Sequence, residues 1–345
     1  MAALAKILRH DAPGEVRAAA IDDQGRPVSL FLDRAFEPKP LAWGDTLTAR
    51  VRSVKTDQGG VFLETEAQEP VFLDSKGARG LHEGQAAAIR IVAEPRRGKS
   101  ARAVRHDGAK DVRTTFDRWR HSLPDGETLP VATGVANEDA ITAAFDLAVR
   151  PNVGLPNGGA LRIARTPALT AIDIDTAGRT DPGRAVDRAR RLNSEAAAEA
   201  ARQASLRRLG GLVVIDCVAP TPQPFRSEPK HSFLERFRAY DTRKAEALSV
   251  SPLGMMEAAL AWRYAPIDEV LLDHSDAETV ETQVLGALRE AERLARSEPG
   301  AFFQLTFSES QHGVYSRIRG AVSKSWLNRV SVVVGPGSEP RLSRT

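Results

Sequence analysis

The chain has 345 residues, more than one hydrophobic core usually holds, so about two to four compact units are expected. With 42% hydrophobic and 27% charged residues, and no apolar run near the ~18 residues of a membrane helix, it reads as a soluble globular chain, neither disordered nor membrane-spanning. One cysteine, Cys217, excludes an internal disulfide and any zinc site built on several thiolates, while a net charge of +3 allows a nucleic-acid partner without requiring one.

Residues 1–10 (MAALAKILRH) carry Lys6 inside a short apolar run and no cleavage site, so no signal peptide is read there and a reducing cytoplasm is the expected compartment. The basic residues are 39 Arg against 9 Lys. Arginine suits bidentate phosphate contacts, although a GC-rich genome gives the same bias.

Residues 15–33 alternate around Asp22-Asp23-Gln24-Gly25 and predict a β-hairpin, after which Pro38 and Pro40 close a linker. From Gly44 to about Arg105 follow four or five short strands punctuated by Gly59-Gly60, Gly77, Gly80 and Gly84. Short strands with close turns and no helical pattern predict a small antiparallel barrel. Residues 107–150 read as a connector ending in a helix at Ala140–Val149, and Leu155-Pro156-Asn157-Gly158-Gly159 is a turn cluster.

The pattern then becomes α/β. Ala168–Ile174 is a predicted strand, and Arg184–Leu209 a long helix with Ala189, Leu192, Ala196, Ala200 and Ala204 at helical spacing. After Gly210-Gly211, LVVID (212–216) is a second buried strand. Strand, helix and strand over about 50 residues make a βαβ unit with parallel strands. Pro220, Pro222, Pro224 and Pro229 form a stiff loop, followed by predicted helices at Phe233–Ala247 and around Leu253–Arg263. The last segment reads as a helix at Glu278–Arg296, a strand at 301–307, a helix around Gly313–Ser323 and a strand at 330–335, a small α+β unit of its own. The expected fold is thus multidomain α+β: a barrel, an α/β core with a βαβ site, and a small C-terminal α+β unit.

Three features carry chemistry. In Ala171-Ile172-Asp173-Ile174-Asp175 the alternation puts Asp173 and Asp175 on one face, and Asp216 ends the other strand of the same βαβ unit. Carboxylates gathered at the carboxyl edge of parallel strands repel one another, and Mg²⁺, which takes one or two carboxylates plus waters and a phosphate, relieves that. A strand-terminal Asp also caps turns, and the pattern alone does not choose. Phe62 and Phe72 lie on neighbouring barrel strands, with Arg96, Arg97 and Lys99 in a following loop. Residues 96–120 hold nine Arg or Lys against three Asp. Aromatic faces beside cations hold single-stranded RNA, whereas two Phe in a barrel also serve as core. The seven histidines show no ligand spacing, and no Walker-type glycine loop surrounds Lys99.

The segment Ala168–Val218 resembles the core of the ribonuclease E/G family. Ile172–Asp175, Asn193–Ala197, Ala201–Gly211 and Val213–Asp216 match, without a gap, that family's I-D-[IV]-N, T-N-L-E-A-A, A-R-Q-L-R-L-R-D-L-G-G and I-V-I-D. The turn VGLPNGG (153–159) is similar too. The resemblance implies a cytoplasmic, Mg²⁺-dependent endoribonuclease acting on single-stranded RNA in processing or decay, including rRNA maturation, and leaving 5′-phosphate ends. Mn²⁺ is an alternative ion, and Asp173 and Asp216 are the implied metal ligands. Asp175 stands where the family has Asn, and Ala219 where it has a further Asp.

The resemblance extends to an OB-type RNA-binding barrel, with Phe62 and Phe72 as stacking platforms and Arg96 and Lys99 as phosphate contacts. It divides the chain into an N-terminal segment (1–40), the barrel (41–106), a connector (107–150), the catalytic core (151–265) and a C-terminal unit (266–345). The connector is too short for the family's sensor of RNA 5′ ends, whose shared Arg falls near Lys244. Leu271–Ser275 holds no thiol where the family has a zinc link, so neither zinc nor a zinc-linked dimer is expected. The oligomeric state stays open. The competing reading is an RNA-binding protein of the same family that does not cleave.

Overall fold

A computed structural model describes residues 3–37, 39–55, 59–322 and 324–345; Pro38, expected in a linker, and Ser323, expected at a helix end, lie outside them. The chain opens with Leu4–Ala12 (β1), Glu15–Asp22 (β2) and Pro27–Arg34 (β3), an antiparallel meander. Asp22 organises the second turn: its Oδ1 accepts from the backbone N–H of Gln24 at 3.0 Å and of Arg26 at 2.8 Å. The hairpin is the one the sequence predicts. Strand β1 is added to it, and its irregular exposure explains why no alternation announces it.

The barrel follows. Thr46–Lys55 (β4), Gly60–Glu64 (β5), Pro70–Asp74 (β6), Ala86–Ala93 (β7) and Ala101–Arg105 (β8) close in the order β4-β5-β6-β8-β7, and β7 returns to β4. Only β6 and β8 pair in parallel. Inward residues Val51, Val61, Leu63, Val71, Leu73, Ile89 and Ile91 fill the interior, and closure leaves no sheet edge exposed.

Residues after the barrel return to the first sheet. Thr115–His121 (α1) is capped by Thr114, whose hydroxyl accepts from the Asp117 N–H at 3.1 Å, and sets Phe116 and Trp119 against Phe31. Val131–Thr133 (β9) pairs in parallel with β1. Glu138–Val149 (α2) lays Ile141, Ala144, Phe145 and Ala148 on the opposite face, against Leu8, Ala19, Ile21 and Leu30. Both faces of the sheet are therefore covered, and Ala18 to Ile21 form an uninterrupted buried run.

The third unit is a six-stranded sheet of order β10-β11-β12-β13-β15-β14, made from Asn152–Gly154 (β10), Ala160–Arg165 (β11), Leu169–Asp175 (β12), Gly211–Asp216 (β13), Ala245–Ala247 (β14) and Met255–Leu260 (β15). Only β12 and β13 are parallel, joined by Ala185–Leu206 (α3) as the βαβ pattern predicts. Helix α3 and Glu228–Tyr240 (α4) cover one face of this sheet. Leu192, Ala196, Ala200, Phe233 and Phe237 pack there on Ile172, Ile174, Val213 and Ile215. The alanines let α3 lie close to the strands.

Two expected helices are corrected here. Residues 253–263, rich in helix formers, hold strand β15, in which Met256, Ala258 and Leu260 face the core while Glu257 and Ala259 face out. Pairing with β13 overrides propensity. Helix α4 starts at Glu228 with Pro229 in its first turn, where proline's missing N–H costs nothing, and ends at Tyr240 instead of Ala247.

The chain ends in Ile267–Leu271 (α5), Val280–Ser297 (α6), Phe303–Phe307 (β16), Glu309–Ile318 (α7), Lys324–Leu327 (α8), Val330–Val334 (β17) and Arg341–Arg344 (β18). Its three-stranded sheet has order β17-β16-β18 and packs on α6 and α7 through Leu285, Leu288, Leu305, Phe307 and Ile318. Helix α7 begins earlier than expected because Ser308 and Gln311 form a reciprocal capping box. Among the described residues no helix is long and apolar enough to cross a membrane.

Candidate active site

Strand β12 alternates cleanly: Thr170, Ile172 and Ile174 are buried under α3, while Ala171, Asp173 and Asp175 lie on the open face of the sheet. Asp216, the last residue of β13, is exposed as well and stands in register with Asp173. Neighbouring strands run about 4.8 Å apart, so the two carboxylates project side by side from adjacent parallel strands. Among the described residues neither carboxylate has a hydrogen-bond or ion-pair partner. They are not turn caps.

The strand end behind the pair is fixed by Asn193 of α3, which is wholly buried. Its side-chain N–H donates to the Val218 carbonyl at 2.9 Å, and its Oδ1 accepts from the Val218 N–H at 2.8 Å. One polar side chain in an alanine-rich helix thereby sets the chain two residues past Asp216. Cys217 points to the opposite, buried side as its position on the strand predicts, and burial, followed by the neighbouring Asp216 charge, pushes its thiol up to about 12. It is a core residue.

Asp175 shares the open face but stands two pairs farther along, opposite Ala160, and its Oδ1 accepts from the Ala177 N–H at 2.9 Å. The structure thus brings Asp173 and Asp216 together and gives Asp175 a turn-forming role beside them. No group of three or more His, Cys, Asp or Glu side chains gathers in metal-binding arrangement among the described residues. Two unpartnered carboxylates suit Mg²⁺, which keeps several waters and takes the rest of its oxygens from a phosphate.

The rim is built by loops at the carboxyl ends of β12 and β13. Arg179 pins them: it donates to Glu195 at 2.8 Å and to the Gly158 carbonyl at 3.2 Å, and it pairs with Asp181. Thr176, Arg188, Val218 and Ala219 border a cavity of about 250 Å³ at this edge. On the other side of the pair, Arg162 of β11 is in register with Asp173 and exposed. Sequence reasoning did not single it out, because the strand at 160–165 was hidden behind the preceding turn cluster. Its alternating ALRIAR pattern was the available signal.

On the barrel, Phe62 and Phe72 face each other across β5 and β6, with ring centroids 5.3 Å apart at 61°. Both are half-buried on the outer surface, with Val61, Leu63, Val71 and Leu73 filling the interior, so they are not barrel core. Gly60 is required beneath them, since a Cβ there would collide with the Leu73 carbonyl and lie 2.7 Å from the Phe72 ring. Arg102 of β8 is in register with Phe72 and exposed. It extends the aromatic pair into a cationic edge.

The remaining expected contacts lie elsewhere. Arg96 stacks on Trp262, its guanidinium carbon 3.9 Å from the ring centroid, and burial lowers its proton affinity. Its neighbour Arg97 donates to the Leu272 and Asp273 carbonyls, both at 2.6 Å, so this loop clamps the barrel to the rest of the molecule. Lys99 is exposed beside it. Lys244 is exposed and paired with Glu246 at 2.7 Å. It precedes β14, whose Ala245 pairs with Leu260, which in turn pairs with Gly211 at the amino end of β13. At ~3.3 Å per residue that end is about 16 Å from Asp216. Lys244 does not join the carboxylates.

Residues 72–260, more than half of the chain, match the sequence model of the ribonuclease E/G family. Ribonuclease E of Haemophilus influenzae is 39% identical over 138 residues, covering 40% of this chain and 14% of that protein. Ribonuclease E of Escherichia coli is 38% identical over 129 residues, covering 37% and 12%. Ribonuclease G of Escherichia coli is 30% identical over 195 residues, covering 54% and 39%. The matched region spans at most 39% of the length of these relatives.

Proposed function

The chain belongs to the ribonuclease E/G family, and from that premise we propose that it is an Mg²⁺-dependent endoribonuclease cutting single-stranded RNA in the cytoplasm, in RNA processing or decay, rRNA maturation included. The observation that carries this reading is the registered, unpartnered pair Asp173 and Asp216 on the open face of the sheet. An RNA-binding surface has no need of two bare carboxylates, whose charge opposes a polyanion unless a cation sits between them. Bound there, Mg²⁺ would polarise the scissile phosphate, lower the pKa of attacking water and offset the developing charge.

The protein's own residues do the rest. The closed order β4-β5-β6-β8-β7 supports an OB-type reading of the barrel; the second and third strands of such folds bind oligonucleotides, and Phe62 and Phe72 lie on the second and third strands here. Bases stack on the two rings while Arg102, Arg96 and Lys99 hold phosphates. Asp173 and Asp216 would hold the ion, and Asp175 would orient the attacking water. Addition of water at phosphorus with departure of the 3′ oxygen leaves 5′-phosphate and 3′-hydroxyl ends. Lys244 would meet RNA only beyond the cleavage point.

A second reading, an RNA-binding protein that does not cleave, is favoured by Ala219, which stands where the family has a further Asp. An unstructured A/U-rich RNA labelled at its 5′ end separates the two. Internal cuts that appear in Mg²⁺ and vanish in EDTA are expected. Tight binding without cleavage in Mg²⁺ or Mn²⁺ would move the assignment to the second reading. Both readings need the aromatic platform: Phe62→Ala and Phe72→Ala should each cost about 1–3 kcal/mol of RNA affinity, roughly 5- to 150-fold, by fluorescence anisotropy. Unchanged affinity in both variants would remove the barrel face from the RNA path.

A further inference from the structure

We propose that Arg162 binds the RNA phosphate on which the Asp173–Asp216 pair acts, making the site a row of one cation and two carboxylates across three strands. The inference rests on the nuclease reading for its catalytic consequence, though not for its binding consequence. Three observations carry it. First, the row is continuous: Arg162 of β11 is in register with Asp173 of β12, and Asp173 with Asp216 of β13. Residues opposite each other in a sheet share a face, with Cβ atoms ~4.5–5.5 Å apart, so the guanidinium and both carboxylates project from the same open surface.

Second, Arg162 is exposed and makes no hydrogen bond or ion pair among the described residues, with Asp173 or any other group. That sets it apart from the arginines around it: Arg165 is held by Asp268 and Glu269, and Arg179 by Asp181 and Glu195. Third, the site carries excess negative charge. Asp175 is diagonal to Arg162 across the same strand pair, so three carboxylates face a single cation there. A polyanionic chain approaching them needs a donor in addition to the metal. A guanidinium offers two parallel N–H groups to one phosphate, which an ammonium does not.

The test measures RNA binding in EDTA, where no cleavage occurs, as a function of salt. Arg162→Ala should weaken binding about three- to tenfold and make the log K against log[salt] slope shallower by ~0.7, the loss of one phosphate contact on a single strand. Arg162→Lys should restore the slope while leaving Mg²⁺-supported cleavage slower than wild type, because charge returns without the fork. The Mg²⁺ concentration for half-maximal cleavage should fall or hold in Arg162→Ala, since a cation has left the neighbourhood of the carboxylates. If Arg162→Ala binds RNA with wild-type affinity and slope, or binds it more tightly, Arg162 only screens Asp173 and the proposal is overturned. Absence of cleavage by the wild type in Mg²⁺ or Mn²⁺ would sink the nuclease reading and leave this binding test intact.

Discussion

Asp173→Asn and Asp216→Asn should each slow Mg²⁺-supported RNA cleavage by roughly 10²–10³-fold, the loss seen when one preorganised charge-stabilising group is removed. The substitution is nearly isosteric, and both side chains are exposed with no protein partner, so thermal stability should stay within about 0.5 kcal/mol of wild type. RNA affinity in EDTA should hold or rise, because one negative charge has left the path of a polyanion. This combination, lost turnover with preserved binding and folding, is what a metal-ligand role demands and a structural role cannot give.

Asp175→Asn reads the third carboxylate, which orients the water without holding the ion. Asparagine keeps the side-chain oxygen that accepts from the Ala177 N–H, so the turn survives, and cleavage should change far less than in the other two variants. Single-turnover rates at several Mg²⁺ concentrations read all three. Near-wild-type rates for Asp173→Asn or Asp216→Asn at saturating Mg²⁺ would remove the pair from the mechanism.

The carboxylate pair was legible in the sequence because its surroundings are asymmetric. Strand β12 is buried on one side by α3 and open on the other, so Thr170, Ile172 and Ile174 alternate with Ala171, Asp173 and Asp175, and period two can be read by eye. The barrel strands carry the same signature. Where both faces of a sheet are covered the alternation blurs into a continuous buried run, as in Ala18–Ile21 of β2, and the irregular exposure of neighbouring β1 left that strand unannounced. Strand β15 was hidden for another reason: Met255–Leu260 favours a helix locally, and pairing with β13 and β14 makes it extended. The alternation of ALRIAR marks Arg162 as outward-facing but not which residue stands opposite it. Register is a property of two strands. The same limit applies to Lys244, whose distance from Asp216 emerges only when β13, β15 and β14 are laid side by side.

A buried charge cluster that no local pattern announces sets the second large effect. Glu15 of β2 is almost wholly buried, and its carboxylate meets Arg289 of α6, Arg34 of β3 at 3.4 Å and Arg17 of its own strand at 3.8 Å. Arg34 also donates to Thr282 at 2.9 Å and to the Val270 carbonyl at 3.3 Å. The cluster therefore ties the first sheet to the C-terminal unit through one anion. Burial on its own raises the Glu15 proton affinity, but Arg289, Arg34 and Arg17 together outweigh it and leave the carboxyl below its ordinary range. Burial, then the like charge of Arg289, pushes Arg17 down to about 10.

Glu15→Gln removes the carboxylate that all three arginines share and leaves Arg289 only its longer pair with Glu138 at 3.8 Å among the described residues, and breaking one side of a buried ion pair costs about 3–5 kcal/mol, a large part of a domain's ~5–15 kcal/mol. Because the folded carboxyl titrates below the unfolded one, its stabilisation is complete above the unfolded value of about 4.3 and is lost as pH falls through the folded value. Wild type should therefore lose stability steeply below about pH 4.3 through this group, while Glu15→Gln follows a flatter curve and the two converge in acid. Urea denaturation at pH 7 and at steps below pH 5 measures both effects. A difference under about 1 kcal/mol at pH 7, or parallel pH curves, would mean that the three guanidinium groups find water when the anion is gone and that the tie between the units is apolar.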